Sequence, residues 1–260
     1  MTSQAADAAS ILWQNWQRRT RIDALPAEAM PADRAAAYAT QRDIVSRTGQ
    51  PIVGWKIAAT SAAGQKHIGV DGPLAGPLVG GIVFADGATI PLDGNIMRVA
   101  EAEFAFTFAK ALPRREAPYT QAQVFDAVES LHTAIEVPDS RYNNFAAVGA
   151  NQLIADTACS CWFILGPATR ADWRARDLAA HQVATYVNDA KAGSGSGANV
   201  LGDPRIALTW LVNELNAYAD GIDAGQFVTT GACVPPTPIK PGDRFRADFG
   251  DLGSVEAQIA

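Results

Sequence analysis

Apolar positions recur at helical spacing in the N-terminal part of the chain. Residues 10–46 are rich in Ala, Arg and Gln, and their apolar side chains are three or four positions apart. The turn-forming stretch 26–31, which begins and ends with proline, interrupts this pattern. We therefore predict two helices within a helical segment formed by residues 1–50.

The pattern changes after residues 49–51, which read Gly-Gln-Pro. Glycines and prolines recur, the apolar runs become shorter, and apolar and polar positions alternate with the period of two that strands have. Residues 239–259 have the pattern of a turn and a hairpin. Residues 51–260 are therefore predicted to form a β-rich domain, which makes the chain an α+β protein.

Two later segments interrupt the predicted strands. Residues 120–132 show helical periodicity, and residues 203–218 begin with Asp203-Pro204, an N-cap followed by proline at the first helical position. Both are predicted to be helices. Between them, the glycine-serine stretch 193–197 is interpreted as a flexible loop, either a mobile active-site flap or a connector.

Composition and charge exclude several classes of protein. Hydrophobic residues make up 48% of the 260 residues, which is enough to fill a core and argues against disorder. The formal net charge is −6 and no cluster of Lys and Arg occurs, so neither nucleic acid nor a membrane surface is expected as a partner. A secretory signal and long apolar runs are also missing from the sequence, which predicts a cytoplasmic protein with reduced cysteines.

The first candidate for chemistry is the pair Glu101 and Glu103. Strand alternation places both carboxylates on one face of a strand, opposite Ala102 and Phe104. Like charges on a partly buried face repel unless a cation neutralises them, and hard divalent cations prefer oxygen ligands. The alternative from this segment alone is a solvated strand face with two ordinary glutamates.

Two further segments place charged side chains beside apolar runs. Glu136, Asp139 and Arg141 follow an apolar strand-like stretch, where acids are well placed to form a site. The alternative is that Asp139 and Arg141 simply pair with each other or cap a turn. Lys56 lies within the mostly apolar segment 53–61. Such a lysine either extends to water or sits where burial lowers its pKa and suits it to proton transfer.

Together these segments resemble the hydratase and decarboxylase branch of the fumarylacetoacetate hydrolase superfamily, represented by 2-oxopent-4-enoate hydratase. The resemblance spans nearly the whole chain in the expected order. It is carried by Ala36-Ala37-Tyr38-Ala39-Thr40-Gln41, Gly54-Trp55-Lys56-Ile57, Gly69-Val70-Asp71, Glu101-Ala102-Glu103, residues 134–141, Val200-Leu201-Gly202-Asp203-Pro204 and Lys240-Pro241-Gly242-Asp243. It implies a mixed β-sheet roll with the N-terminal helices packed outside it, and a homo-oligomer.

The resemblance also implies a metal centre. Glu101, Glu103 and Glu136 are expected to bind Mg²⁺ or Mn²⁺, and Asp139 to lie behind them, orienting Arg141 or a bound water. Lys56 is implied to be an active-site residue that transfers a proton.

Three positions are predicted to bind the substrate, two of which, Ser160 and Thr230, fall in segments that resemble the family's substrate pocket. The third is Arg141. For Ser160 and Thr230 the alternative is ordinary hydrogen bonding within a strand or turn.

The implied activity is hydration of small 2-oxo-4-enoic acids, with water added at C4 by way of a metal-stabilised enolate. Decarboxylation of a 2-oxo-enedioate and hydrolysis of an acylpyruvate are the alternatives within the superfamily. A protein of another class, a catalytically weak metal-binding subunit that assembles with a related enzyme, is the third.

One departure from the family pattern affects this choice. Family hydratases commonly read Gly-Val-Asp-x-Pro-Asp, whereas this chain has Leu74 at the last position. Either Asp71 or a water replaces the missing acid, or the reaction needs less acid–base help than hydration does. Asp71 is therefore predicted to be catalytic together with Lys56.

Overall fold

The structure is a computed structural model that describes residues 3–260. Its helices are α1 (Ser3–Arg18), α2 (Arg34–Thr48), α3 (Ala62–Ile68), α4 (Gln121–Ala127), α5 (Ala150–Ala155) and α6 (Pro204–Tyr218). Its strands are β1 (Ile52–Ala58), β2 (Leu74–Val79), β3 (Val83–Ala85), β4 (Thr89–Ile90), β5 (Val99–Phe108), β6 (Leu112–Pro113), β7 (Val128–Val137), β8 (Trp162–Ala168), β9 (Gln182–Val187), β10 (Ala190–Ser196), β11 (Gly221–Ile222), β12 (Phe227–Ala232), β13 (Thr237–Pro238), β14 (Arg244–Asp248) and β15 (Ser254–Ile259).

Two mixed sheets form most of the β-rich part of the molecule, and β6 and β11 pair as a separate two-stranded sheet. The larger sheet has the strand order β2-β1-β12-β5-β7-β8-β3, and β13 pairs with the beginning of β5. The smaller sheet has the order β10-β9-β14-β15-β4. Pairing in the larger sheet is antiparallel except between β1 and β12 and between β3 and β8. The predicted α+β fold with a mixed-sheet roll is confirmed.

The two faces of the larger sheet pack against different parts of the molecule. On one face Phe104 and Phe106 belong to the main core, which the smaller sheet and α6 also enter. On the other face Ala105 lies in a smaller cluster in which Phe163 stacks on Phe227, with ring centroids 5.2 Å apart. Helices α1 and α2 contribute partly buried side chains to this smaller cluster. The predicted carboxylate pair projects from the same face as Ala105, because residues two apart on a strand share a face.

The N-terminal helices form where the sequence predicts them. Helix α2 begins after Asp33, whose carboxylate accepts a hydrogen bond from the Ala36 amide, and ends at Gly49 with a φ of +65°. Gln41 donates from α2 to the carbonyl oxygens of Ala75 and Ile154, which attaches the helices to the β-rich part. The predicted boundary near residue 50 lies between α2 and β1, and its status as a domain boundary stays a prediction.

The prediction of a helix over residues 120–132 is wrong in its second half. Helix α4 has a capping box between Thr120 and Gln123, but it ends at Ala127, and β7 begins at the next residue. Residues 128–137 pair with β5 on one side and β8 on the other. These long-range pairings override the local spacing of apolar residues, which fits a helix equally well.

The flexible-loop interpretation of residues 193–197 is also wrong. Most of the stretch belongs to β10, which forms a hairpin with β9. A Cβ atom at Gly195 would lie 2.1 Å from the carbonyl oxygen of Cys233, so this glycine permits close packing of two backbones. The other two predictions are confirmed, since α6 begins after the N-cap Asp203 and β14 and β15 form the closing hairpin.

In the part of the chain that the structure covers, every helix is too short or too polar to cross a lipid bilayer.

Candidate metal centre

Three carboxylates meet on one face of the larger sheet. Glu101 and Glu103 project from β5, and Glu136 lies on β7 directly opposite Glu101. One oxygen from each residue lies within 4.8 Å of those of the other two. Glu103 and Glu136 are fully buried and Glu101 is partly buried. Antiparallel pairing puts cross-strand partners on the same face, so the register of β5 and β7 creates the cluster.

The environment of these carboxylates leaves some of their oxygens unpaired. Oε2 of Glu103 accepts hydrogen bonds from the Thr229 hydroxyl and, at 2.8 Å, from the Gly231 amide. Oε1 of Glu103 and Oε2 of Glu136 are buried without a hydrogen-bond partner among residues 3–260. Buried acceptors of this kind are costly unless another group binds them. A set of converging oxygen donors suits a hard divalent cation, so the three residues fit the predicted ligand set.

Lys56 lies beside the cluster. Its Nζ is 2.9 Å from Oε1 of Glu136 and donates to the carbonyl oxygen of Ala158, also at 2.9 Å. The residue is 2% exposed, so the ammonium is buried and does not extend to water. Strands β12 and β5 lie between β1, which carries Lys56, and β7, which carries Glu136. The two side chains therefore extend over these strands to reach each other. One ammonium against three carboxylates leaves an excess of negative charge, which a divalent cation would neutralise.

Burial and mutual repulsion shift the pKa values in the cluster. Burial and the charge of Glu136 raise the pKa of Glu101 to about 7, although Lys56 opposes the shift. Burial, with Glu136 and Glu101, raises the pKa of Glu103 well above its usual range. Burial by itself lowers the pKa of Lys56. The nearby acidic groups, Glu136 foremost, have a larger combined effect in the opposite direction, so the pKa is raised. Lys56 is therefore an ammonium in the cation-free protein, and neither of the two alternatives stated for it, extension to water or a pKa lowered by burial, describes its position.

The raised pKa of Glu101 predicts how the stability of the cation-free protein changes with pH. The ordinary value is 4.5 and the folded value is about 7. A raised pKa contributes stability that is fully present below the ordinary value and is lost as the pH rises through the folded value. We expect this group to lower the free energy of unfolding by about 2 kcal/mol between about pH 5 and about pH 8.

Urea unfolding in the presence of a chelator measures this change. The Glu101→Gln variant, which cannot titrate at this position, should lose less stability than the wild type over the same pH interval. The same pH dependence in both proteins would show that Glu101 does not hold the extra proton.

A cavity of about 600 Å³ opens beside the cluster. Lys56, Glu101 and Cys159 line its inner end, where side chains are buried or partly buried. Ile96 and Pro236 are exposed and line the side that reaches the surface. The cluster is thus accessible to a small molecule through the cavity.

Residues 157–159 place the Ala158 carbonyl oxygen against Lys56. Thr157, Ala158 and Cys159 have φ values of +55°, +50° and +64°, a left-handed conformation that is uncommon outside glycine. Strand β2 approaches this turn closely, because a Cβ atom at Gly76 would lie 2.1 Å from the Thr157 carbonyl oxygen. Glycine at position 76 therefore allows the turn to pack against the sheet.

The predicted substrate-binding role of Arg141 is not supported by its contacts. Its guanidinium forms a buried ion pair with Asp156, donates to Thr157 Oγ1 at 2.9 Å and to the Ser160 carbonyl oxygen at 3.2 Å, and stacks over Trp16. The residue is 4% exposed and does not line the cavity. Arg141 and Asp156 together fix the left-handed turn, and the sequence reasoning missed Asp156.

Ser160 and Thr230 are also turned away from the cavity. The Ser160 hydroxyl donates to the Thr157 carbonyl oxygen at 2.8 Å, and the Thr230 hydroxyl donates to the Phe104 carbonyl oxygen at 3.1 Å. Both side chains are fully buried. Their contacts match the alternative of ordinary hydrogen bonding, whereas the preceding residue, Thr229, contacts Glu103.

Asp139 lies near the cluster but does not orient Arg141. It pairs with Arg21 and accepts a hydrogen bond from the Ile96 amide at 3.0 Å. That part of the prediction is wrong, because Asp156 is the partner of Arg141. Because Ile96 lines the cavity, the hydrogen bond from its amide to Asp139 helps to hold the cavity wall in place.

The structure does not bring Asp71 or Leu74 into the site. Asp71 is exposed in a bend, and Leu74 is 1% exposed in the main core, opposite Ala58 of β1. Neither residue lines the cavity. The predicted catalytic role of Asp71 therefore has no support in this geometry.

Comparison with known proteins gives a consistent set of relatives. The family model described as Fumarylacetoacetate (FAA) hydrolase C-terminal matches residues 80–260. The chain is 34% identical over 230 residues to a 2-keto-4-pentenoate hydratase of Burkholderia vietnamiensis, with 86% of each protein covered. It is 32% identical to a 2-oxo-hept-4-ene-1,7-dioate hydratase of Escherichia coli, covering 86% of this chain and 85% of the relative.

A solved structure is similar over the whole chain. It is a 4-oxalocrotonate decarboxylase from Pseudomonas putida G7, complexed with magnesium and adipate. The sequence identity is 30% and the TM-score is 0.89, with 100% of this chain and 99% of the other covered.

Proposed function

Because the chain belongs to the fumarylacetoacetate hydrolase family, we propose that it is a metal-dependent hydratase of small 2-oxo-4-enoic acids. The observation that carries the proposal is the group of three glutamates and Lys56, of which Glu101 and Lys56 line the inner end of a cavity. Two of the similar proteins are named hydratases of 2-oxo-4-enoic acids, which supports the same reaction class here.

Glu101, Glu103 and Glu136 would hold the cation, which we propose to be Mg²⁺ or Mn²⁺. When bound, the cation supplies Lewis-acid chemistry, since it polarises the 2-oxo group and stabilises the negative charge of an enolate. The magnesium in the similar decarboxylase supports this choice of metal.

Lys56 would transfer protons at the substrate carbons. As an ammonium it gives a proton to C5 of the 2-hydroxy-2,4-dienoate form, and the amine that this leaves takes up the proton that the enol hydroxyl loses, so that the ammonium is restored and an α,β-unsaturated ketone remains. Water then adds at C4, and C3 takes up a proton, so the product is a 4-hydroxy-2-oxo acid. The contacts of Lys56 with Glu136 and with the Ala158 carbonyl oxygen hold its ammonium in place for the proton transfer to C5.

Decarboxylation of a 2-oxo-enedioate is the second candidate. Two observations favour it, since the chain is similar to a decarboxylase over its whole length and Asp71, the acid expected to assist hydration, does not line the cavity. Loss of carbon dioxide needs fewer proton transfers than hydration does.

A chelator-treated sample of the purified chain tests the proposal. We expect 2-oxopent-4-enoate to gain the mass of one water only after Mg²⁺ or Mn²⁺ is added, as detected by mass spectrometry. Release of carbon dioxide from a 2-oxo-enedioate, or cleavage of an acylpyruvate, with no hydration would replace the hydratase assignment. Turnover that requires an added related enzyme would identify a partner subunit.

The cytoplasmic location predicted from the sequence and the homo-oligomeric state implied by the resemblance belong to the same proposal. Light scattering of the purified chain tests the second of these, since a monomer would contradict it.

A further inference from the structure

Few charged groups line the cavity beside the carboxylate cluster. They are Lys56 and Glu101, and His67 adds an imidazole. The ammonium of Lys56 already contacts Glu136 and the Ala158 carbonyl oxygen. Burial raises the pKa of Cys159 to about 12, so this thiol is neutral. Among the lining residues within the described range 3–260 there is no arginine and no second lysine.

The rest of the wall is largely apolar. Its side chains include Ile68, Ile96, Met97, Val99, Phe145 and Val234. Such a wall favours a ligand with methylene, methyl or ring carbons, because the transfer of each apolar group from water to the wall lowers the free energy of binding. A carboxylate placed against it loses its hydration without gaining an ion pair, which is unfavourable.

His67 is the remaining candidate to pair with a carboxylate. It is exposed and lies edge-to-face with Phe145, with ring centroids 6.1 Å apart. An exposed imidazole in contact with water interacts weakly with an anion. It therefore does not supply the buried cationic partner that a second carboxylate requires.

We propose that the cavity selects 2-oxo acids with an uncharged apolar tail and discriminates against those that carry a second carboxylate at the far end. This inference rests on the proposed function, since it takes the carboxylate and 2-oxo group of the substrate to lie at the three glutamates. The cavity volume of about 600 Å³ falls within the range of sites for ligands larger than a five-carbon acid. There is thus room for a tail beyond C5.

Binding of two saturated acids tests this selectivity without turnover. With the Mg²⁺-loaded protein, calorimetry should show that 2-oxoheptanoate binds at least about 30-fold more tightly than 2-oxoheptanedioate, which differs only in the terminal carboxylate. Equal affinity, or tighter binding of the dioate, would overturn the proposal.

A substitution in the wall provides the complementary test. Met97 is partly buried beside the exposed Ile96, and Met97→Lys keeps an unbranched side chain while it adds a cation. This variant should bind the dioate at least about tenfold more tightly than the wild type, whereas the neutral control Met97→Gln should not. An equal gain in both variants, or none in Met97→Lys, would contradict a tail site at this wall.

The two proposals fail in different ways. Hydration of 2-oxopent-4-enoate together with preferred binding of the dioate overturns the tail selectivity alone. Failure of Mg²⁺ to promote binding of either 2-oxo acid overturns the placement of the 2-oxo acid group, and with it both proposals.

Discussion

Replacing Glu103 by Gln should abolish the binding of Mg²⁺ and Mn²⁺ and lower turnover more than about 100-fold, since Lewis-acid catalysis contributes several kcal/mol. The glutamine amide oxygen can still accept hydrogen bonds from Thr229 and Gly231, so the local structure should persist. The other carboxylate oxygen, which is buried and unpaired in the described structure, is replaced by an amide nitrogen. An NH₂ group donates hydrogen bonds and does not bind a cation.

Calorimetric titration with each metal measures this effect. The matched control is Glu129→Gln, which removes the same charge from an exposed position on β7. The control should bind both metals as the wild type does. Unchanged affinity in Glu103→Gln would remove Glu103 from the ligand set.

Replacing Lys56 by Met should separate catalysis from cation binding. Methionine keeps much of the apolar stem but removes the ammonium, so we expect kcat to fall by about 10²–10⁴-fold. The affinity for Mg²⁺ should not weaken, because the ammonium no longer competes with the cation for Glu136. Loss of the buried ion pair should also destabilise the cation-free variant by about 3–5 kcal/mol, and bound Mg²⁺ should restore part of that stability.

Steady-state kinetics, metal titration and thermal unfolding of Lys56→Met provide these three readings. Lys66→Met is the control, since Lys66 is exposed on α3. Normal turnover in Lys56→Met would show that the lysine has only a structural role. Parallel losses of turnover and metal affinity would assign it to the metal centre instead of to proton transfer.

The local features of the site could be predicted from the sequence. Strand alternation alone places Glu101 and Glu103 side by side, which leaves a cation site and a solvated strand face as alternatives. The approach of Glu136 depends on the register between β5 and β7, which no local pattern determines. The resemblance to a known family supplied that third ligand and the importance of Lys56.

The remaining assignments required the three-dimensional structure. Thr229 and Thr230 are adjacent, and strand alternation directs only Thr229 towards Glu103. Thr230 is the residue predicted from the sequence, so an error of one residue along the strand gives the wrong threonine. Arg141 lies in a family-like segment, but its orientation is set by Asp156, fifteen positions further along the chain. The left-handed turn at Ala158 carries no glycine that would mark it in the sequence.

We propose a single metal site, in which Glu101, Glu103 and Glu136 hold one divalent cation. Anomalous diffraction from crystals of the chain grown with Mn²⁺ tests it most directly, because the signal locates the metal without reference to activity. We predict one strong peak within coordination distance of all three carboxylates and beside Lys56, at the inner end of the cavity. A peak elsewhere, or none at the three glutamates at saturating Mn²⁺, would contradict the account.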